Sequence, residues 1–341
     1  MRILTVNAGS TSLKVRDVLD GATGPSHPSL AAALDGPRPE VVAHRVVHGG
    51  DRTGPARVDD AVLAELRALA ELAPLHQPGA LDALDRCREA WPEVPQVACF
   101  DTAFHTTVPE AARTYALSAH LRATVRSYGF HGLSHAWVVE RVRAVAPAAR
   151  RVVVAHLGGG QSLCAALDGR SVATTMGFTP LDGLVMATRP GSLDPGAVAW
   201  LARHAGEDLD DLLEHRSGLR GLCGDADMRA VQARRARGDA DATLAFDVWR
   251  HRAVALLGGC VATLGGLDAL AFTGGIGEND AEARVALAGA LGWLGVEVRD
   301  PGRAAGDGVT DLTAPGARVG TFVVESREDL RMAAEATALL A

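Results

Sequence analysis

Arg45 stands inside an apolar run, His44-Arg45-Val46-Val47-His48, and Arg189 lies in Ala187-Thr188-Arg189-Pro190-Gly191. Asp101 closes the run Ala98-Cys99-Phe100. Charge inside an apolar run is costly unless it is paired or meets a ligand. Two readings stay open. One is an internal salt bridge, for instance Arg45 with Asp101. The other is a charge set for an anionic substrate, since arginine's planar fork suits carboxylate and phosphoryl oxygens. Turns rich in glycine and hydroxyls follow strand-like runs at residues 7–12, 158–162 and 274–279. Backbone N–H groups in such turns can approach an anion closely. Any one of them reads as a structural hairpin; the three together favour phosphate binding.

Other chemistries are weaker. His131 and His135 have the i, i+4 spacing of a zinc helix, but no H-E-x-x-H occurs and Gly132 intervenes, so zinc is rejected. His44, His48, His76 and His156 read singly as structural histidines. No G-x-S-x-G occurs, which argues against a serine nucleophile on an elbow. The first glycine turn lies between two strand-like runs, whereas a P-loop or a dinucleotide fingerprint needs a helix after it.

These residues need elements to hold them. Residues 3–6 and 13–16 read as strands around the first turn; 152–156 and 163–167 do the same around the second. Gly9, Ser12 and Leu13 match Gly159, Ser162 and Leu163 at an offset of 150, and Asp20-Gly21 matches Asp168-Gly169 at 148. A duplicated β-hairpin domain follows. Further strands are expected at 41–47, 97–104, 270–273 and 322–324. Helices are expected from Asp59-Asp60 through Leu72, at 134–145, at 244–264 and at 328–340. Residues 21–39, rich in Gly, Pro, Ser and Ala, read as a loose connection. The alternation, repeated twice, indicates an α/β protein with mixed sheets.

Composition narrows the function classes. The chain has 341 residues, 48% hydrophobic and 22% charged, enough for about two domains with a large core. A net charge of −7 gives no overall basic field for nucleic acid. Lys14 is the only lysine among 34 basic residues. The 5 cysteines are widely spaced, without C-x-x-C, and read as reduced, mostly buried thiols. The N-terminal run breaks early at a glycine turn, unlike a secretory signal. The longest stretch without acidic or basic residues, 152–167, is too short to span a membrane. A cytoplasmic protein is expected.

The segments VNAGSTSLK (6–14), HRVVHGG (44–50), LAPLHQPGAL (72–81), CFDTAFHTTVPE (99–110), YGFHGLSH (128–135), HLGGGQS (156–162), TTMGFTPLDGLVMATRPG (174–191) and FTGGIGEN (272–279) carry a resemblance over nearly the whole chain. In this order they resemble the acetate kinase family of the acetokinase–hexokinase–actin group. The resemblance implies a duplicated ribonuclease H-like fold with mixed sheets and an active-site cleft. Its domains would be 1–148, joined by the C-terminal helix 327–341, and 149–326. It implies Mg²⁺ (or Mn²⁺), ATP or ADP as substrate, a short carboxylic acid, an acyl phosphate product and a homodimer.

By the same resemblance, Arg45 and Arg189 flank the carboxylate and the transferring phosphoryl group, and His131 donates to the phosphoryl oxygens. His156 and Asn7 help hold phosphates. Asp101 and Glu328 stand where the family places carboxylates that organise magnesium, Asn7 is expected with Glu328 as a metal residue, and Asp329 is an alternative to Glu328. Ser10, Ser12 and Lys14 fall in the first phosphate turn, and Gly158, Gly159 and Gly160 in the second. Gly274, Gly275, Ile276, Gly277 and Asn279 border the nucleotide, while Asp227, Met228 and Arg229 match the adenosine side. Val47, Leu75, Phe130 and Pro180 match the apolar pocket for the acyl chain. Such a pocket discriminates one methylene by only about 10–200-fold, so propionate is expected as a second substrate. A propionate- or butyrate-preferring kinase and a catalytically degenerate nucleotide-binding homologue are the alternatives. The sequence departs from the family in a shortened connection between Lys14 and His44. Gly159 replaces a usual Asn, Gln161 a usual Ser, and Met228 a usual Phe.

Overall fold

In the computed structural model, β1 (Arg2–Ala8), β2 (Leu13–Leu19) and β3 (Ala22–His27) run antiparallel in succession. β1 then pairs in parallel with β4 (Val41–Val46). The sheet is completed by β5 (Ala56–Arg57) and β6 (Gln96–Phe100). A second sheet repeats the plan with β7 (Arg151–Leu157), β8 (Gln161–Leu167), β9 (Arg170–Thr174), β10 (Ala269–Thr273), β11 (Val309–Asp311) and β12 (Gly320–Val324). The structure describes residues 1–9, 13–73, 77–122, 124–299 and 308–341. Among these, the strand orders are β3-β2-β1-β4-β6-β5 and, read in the matching sense, β9-β8-β7-β10-β12-β11. Identical order and matching strand directions make this a duplicated mixed-sheet α/β fold.

The repeated hairpin has a local cause. Asp20 and Gly21 have φ of 49° and 78°, and Asp168 and Gly169 have 51° and 87°. Two successive positive φ values make the type I′ turn, whose twist suits paired antiparallel strands. Side-chain alternation then sorts the first sheet into faces. Ile3, Val41, Ala43, Val97 and Cys99 pack with Leu133, Met332 and Ala336. Their neighbours Leu4, Val6, Val15 and Val42 face the other way, onto Ala83, Cys87 and Trp91. In the second half, the helix Ala240–Leu264 is capped by Asp239 and packs Trp249 against the core with Leu163 and Phe272. β10 is buried along its whole length, as a strand covered on both faces requires.

The chain divides into two compact units. One comprises Met1–Thr107, Tyr128–Trp137 and Arg327–Ala341; the other comprises Val108–Ser127 and Val138–Ser326.

Three elements differ from the sequence expectation. Residues 21–39 are not a loose connection: they contain β3 and a short helix, Leu30–Leu34, capped by Ser29. β3 is an edge strand, where Gly24 and Pro25 are tolerated. The strand expected to reach Phe104 stops at Phe100, because a 3-10 helix starts at Ala103. Residues 274–279, expected as a glycine turn, form a short helix. All five cysteines are free and buried. Among the described residues no helix is long and apolar enough to cross a membrane.

Candidate active site

In the first unit the parallel ladder sets Asn7 of β1 opposite Arg45 of β4, and Arg45 opposite Cys99 of β6. Asp101 follows two residues after Cys99, just past the strand end. The ladder therefore delivers an amide, a guanidinium and a carboxylate to one edge of adjacent strands. Arg45 Nε donates to Asp101 Oδ1 at 3.0 Å and Nη2 to Oδ2 at 2.6 Å. Nη1 donates to Asn7 Oδ1 at 3.2 Å and lies 3.7 Å from Glu328 Oε2. Asn7 Nδ2 closes the ring by donating to Glu328 Oε2 at 2.6 Å. Glu328 arrives as the first residue of the helix Glu328–Leu340.

Burial shapes the electrostatics. It would lower the Arg45 pKa, but Asp101 and Glu328 outweigh it and hold the guanidinium above its ordinary value. Burial also pushes the Asp101 carboxyl up, against the pull of Arg45. With Asp101 1% exposed and its two oxygens on one guanidinium, the contact is a buried ion pair. The open question of salt bridge or ligand set thus has a structural half-answer: the bridge exists.

His131 is fixed by the same carboxylate. Its backbone N–H hydrogen-bonds the Asp101 side chain, and the next amide, Gly132 N, donates to the Asp101 carbonyl oxygen at 2.8 Å. His131 takes φ of 57°, an uncommon conformation for a residue with a side chain. Gly132 is required here, since a Cβ would overlap the Asp101 carbonyl oxygen. Phe130 is buried, and its carbonyl oxygen accepts from His105 Nε2 at 3.0 Å. Val47 is buried at the end of β4. Asp329, the alternative to Glu328, is engaged elsewhere, with Arg327 at 2.8 Å and Arg16 at 3.4 Å. Lys14 is exposed on β2, opposite Asn7. Ser10, Ser12 and Leu75 lie outside the described residues.

In the second unit His156 sits near the end of β7, opposite Thr273 of β10. The turn after β7 is closed by Gly158 N donating to Gly160 O at 3.1 Å, and Gly159 O accepts from Ala187 N at 3.1 Å. The glycine turn is therefore docked on the segment that carries Arg189. Arg189 is 6% exposed. Its Nη1 donates to Pro180 O at 3.2 Å, and its Nε lies 3.1 Å from Glu214 Oε2. Burial lowers the Arg189 pKa, with Glu214 opposing.

The residues expected on the nucleotide side are mixed. Gly274 N is already taken by Glu278 Oε1 at 3.0 Å, an oxygen that also accepts from Ser326 N at 3.0 Å. Gly275 has open space where a Cβ would sit, Ile276 is half-buried, Gly277 is buried, and Asn279 Nδ2 donates to Gly275 O at 2.9 Å. Asp227 caps the helix Met228–Arg235 and pairs with Arg229 at 2.7 Å. Met228 is buried in the core beside Leu219 and Val231.

A profile of the acetokinase family matches residues 38–334. This chain belongs to the acetokinase family. The acetate kinase of Streptomyces coelicolor is 45% identical over 318 residues, covering 90% of this chain and 78% of that protein. Among solved structures, the acetate kinase of Entamoeba histolytica superposes with a TM-score of 0.90 at 29% identity, covering 99% of each chain. A propionate kinase from Francisella tularensis gives 0.84 at 32% identity, covering 98% of each.

Two departures of this acetokinase have structural accounts. Gln161 is wholly buried, and its Oε1 accepts from Trp249 Nε1 at 2.8 Å, so it serves the core. At Gly159 a Cβ would meet nothing within 4 Å, so the missing Asn side chain leaves room rather than strain. Sequence reasoning missed Glu214 and gave Glu278 no role of its own. Glu278 at least sits inside a quoted motif. Glu214 lies in the polar helix Leu209–His215 and carries no sequence signal.

Proposed function

We propose that the chain is an acetate kinase: it transfers the γ-phosphoryl group of ATP to the carboxylate of acetate, giving acetyl phosphate and ADP, reversibly, and accepts propionate as well. The observation that carries this reading is the buried Arg45, clamped by Asp101 and joined to Asn7 and Glu328. A carboxylate is already an anion at neutral pH, so it attacks phosphorus without a general base. The obstacle is repulsion between two anions, and fixed cations and donors are the remedy. Arg45 and Arg189 serve the carboxylate and the phosphoryl group. His131 donates to the phosphoryl oxygens, and Asn7 and His156 hold phosphates. Ser10, Ser12 and Lys14, and Gly158 to Gly160, serve the phosphates. Gly274 to Gly277, Asn279, Asp227 and Arg229 form the nucleotide side, with Met228 behind them in the core. Val47, Leu75, Phe130 and Pro180 wall the acyl chain. The relatives named acetate kinase and propionate kinase support both substrates.

Among the described residues no cluster of three or more His, Cys, Asp or Glu could hold a metal by itself. That fits Mg²⁺, which keeps waters and binds through one or two carboxylates plus substrate phosphates. Glu328, with Asn7 beside it, is the carboxylate we assign to it, because both Asp101 oxygens are held by Arg45. Bound there, Mg²⁺ would neutralise phosphate charge. A cytoplasmic homodimer completes the proposal: the helix Pro195–His204 has no buried residue and exposes Trp200 (55%) after the exposed Leu193.

The roles are tested by Arg45→Ala and Arg189→Ala. Each is expected to lower kcat by on the order of 10²–10³, with ATP binding retained. Full activity in either variant contradicts its assignment.

A further inference from the structure

Residues 214–220, to which the sequence attaches no role, build a cradle for Arg189. Thr188 Oγ1 donates to the Glu214 carbonyl oxygen at 2.6 Å. Ser217 N donates to Thr188 O, Leu219 N to Met186 O and Arg220 N to Ala187 O, each at 3.0 Å. Gly218 has φ of 62°, and a Cβ there would overlap backbone atoms of Met186 and Arg189. In this cradle the Glu214 and Arg189 side chains are 12% and 7% exposed, with Nε and Oε2 3.1 Å apart. The other edge of the guanidinium reaches Pro180 O.

We infer that Glu214 is a positioning residue for phosphoryl transfer: it holds the Nε edge of Arg189 so that Nη1 stays on the Pro180 carbonyl and the guanidinium keeps one orientation. The inference rests on the role proposed above for Arg189. Arginine has many rotamers, but its planar fork is directional once one edge is fixed. A carboxylate 3.1 Å from Nε attracts that edge by charge and offsets part of the cost of burying the guanidinium. Because Pro180 belongs to the proposed acyl wall, the same contact also sets that wall.

The test uses the full-length chain with Glu214→Gln, Glu214→Asp, Arg189→Ala and the double variant Glu214→Gln/Arg189→Ala. Steady-state kinetics with acetate and propionate are read beside thermal melts. A misplaced catalytic group of this kind lowers turnover by about 10–100-fold. That loss in kcat is expected for Glu214→Gln, with the KM for ATP unchanged and the melt preserved. Glu214→Asp, which keeps the charge on a shorter arm, recovers part of it. The double variant is no less active than Arg189→Ala, because Glu214 acts through Arg189. Parental kcat in Glu214→Gln beside an inactive Arg189→Ala overturns the inference and leaves the proposed function standing. A fully active Arg189→Ala overturns the role of Arg189 itself, and this inference with it.

Discussion

Arg45 and Asp101 meet through two parallel contacts, Nε to Oδ1 at 3.0 Å and Nη2 to Oδ2 at 2.6 Å, at the ends of neighbouring parallel strands. The fork leaves Nη1 directed to Asn7 and Glu328. Asp101 also holds the backbone of His131 through its side chain and that of Gly132 through its carbonyl oxygen. One carboxylate thus orients two of the proposed catalytic groups.

Removing its charge should therefore disturb stability and rate together. Asp101→Asn leaves a buried guanidinium short of a partner, which costs about 3–5 kcal/mol when nothing replaces it. Glu328 remains near, so the lower end is expected. Urea denaturation checks the stability, and kcat should fall with acetate saturating. An unchanged urea midpoint would show that Glu328 suffices for Arg45.

Gly132→Ala is expected to be among the most damaging single changes in the chain. The added methyl would overlap the Asp101 carbonyl oxygen, which is backbone and has no rotamer to escape into. Overpacking of this kind costs about 1–3 kcal/mol or more, and relief would shift both His131 and Asp101. Melts and kcat should drop in parallel. A stable variant with parental kcat would mean that the His131 segment is free to move.

Gly159→Asn should be tolerated and useful. A Cβ at this position meets nothing within 4 Å, and Asn is the usual family residue. One added hydrogen bond of about 0.5–1.5 kcal/mol would lower the KM for ATP by about 2–12-fold. A raised KM would show that the glycine turn needs its present backbone freedom.

Acid sensitivity follows from two buried histidines to which no phosphate contact is assigned. His44 and His105 are buried, and burial lowers both pKa values to about 4 from 6.5. When unfolded each takes up a proton near its ordinary pKa, and when folded it does not until about pH 4. The unfolded state therefore binds more protons in this window, and stability falls as pH drops through it. The loss by pH 5 is about 2 kcal/mol per histidine. Asp101, Glu214 and Glu335, whose pKa values burial raises, titrate with the opposite sign. The clean readout is thus a difference between variant and parent. His105→Gln, which keeps a donor for Phe130 O, should lose about 2 kcal/mol less between pH 7 and pH 5. Parallel stability–pH curves would contradict this.

What the sequence revealed was local. Asp20-Gly21 and Asp168-Gly169 announced their hairpins because few other pairs accept two positive φ values, and the duplicated fold followed from them. Arg45 and Asp101 stood out as charges in apolar runs, but only the ladder of β1, β4 and β6 shows Asn7 and Glu328 closing the ring. Glu328 and Asp329 could not be separated by sequence. The helix start turns one to Asn7 and the other to Arg327. β3 was missed because an exposed edge strand takes its register from β2 rather than from its own composition. Glu214 was illegible, because its significance lies in Arg189, 25 positions earlier in the chain.

The most direct measurement traps acyl phosphate with hydroxylamine after the chain is incubated with Mg-ATP and acetate, propionate or butyrate in parallel. The account predicts hydroxamate from acetate and from propionate, with ADP formed in equal amount. ATP binding without hydroxamate from any of the three acids would contradict it and leave a nucleotide-binding protein that has lost catalysis.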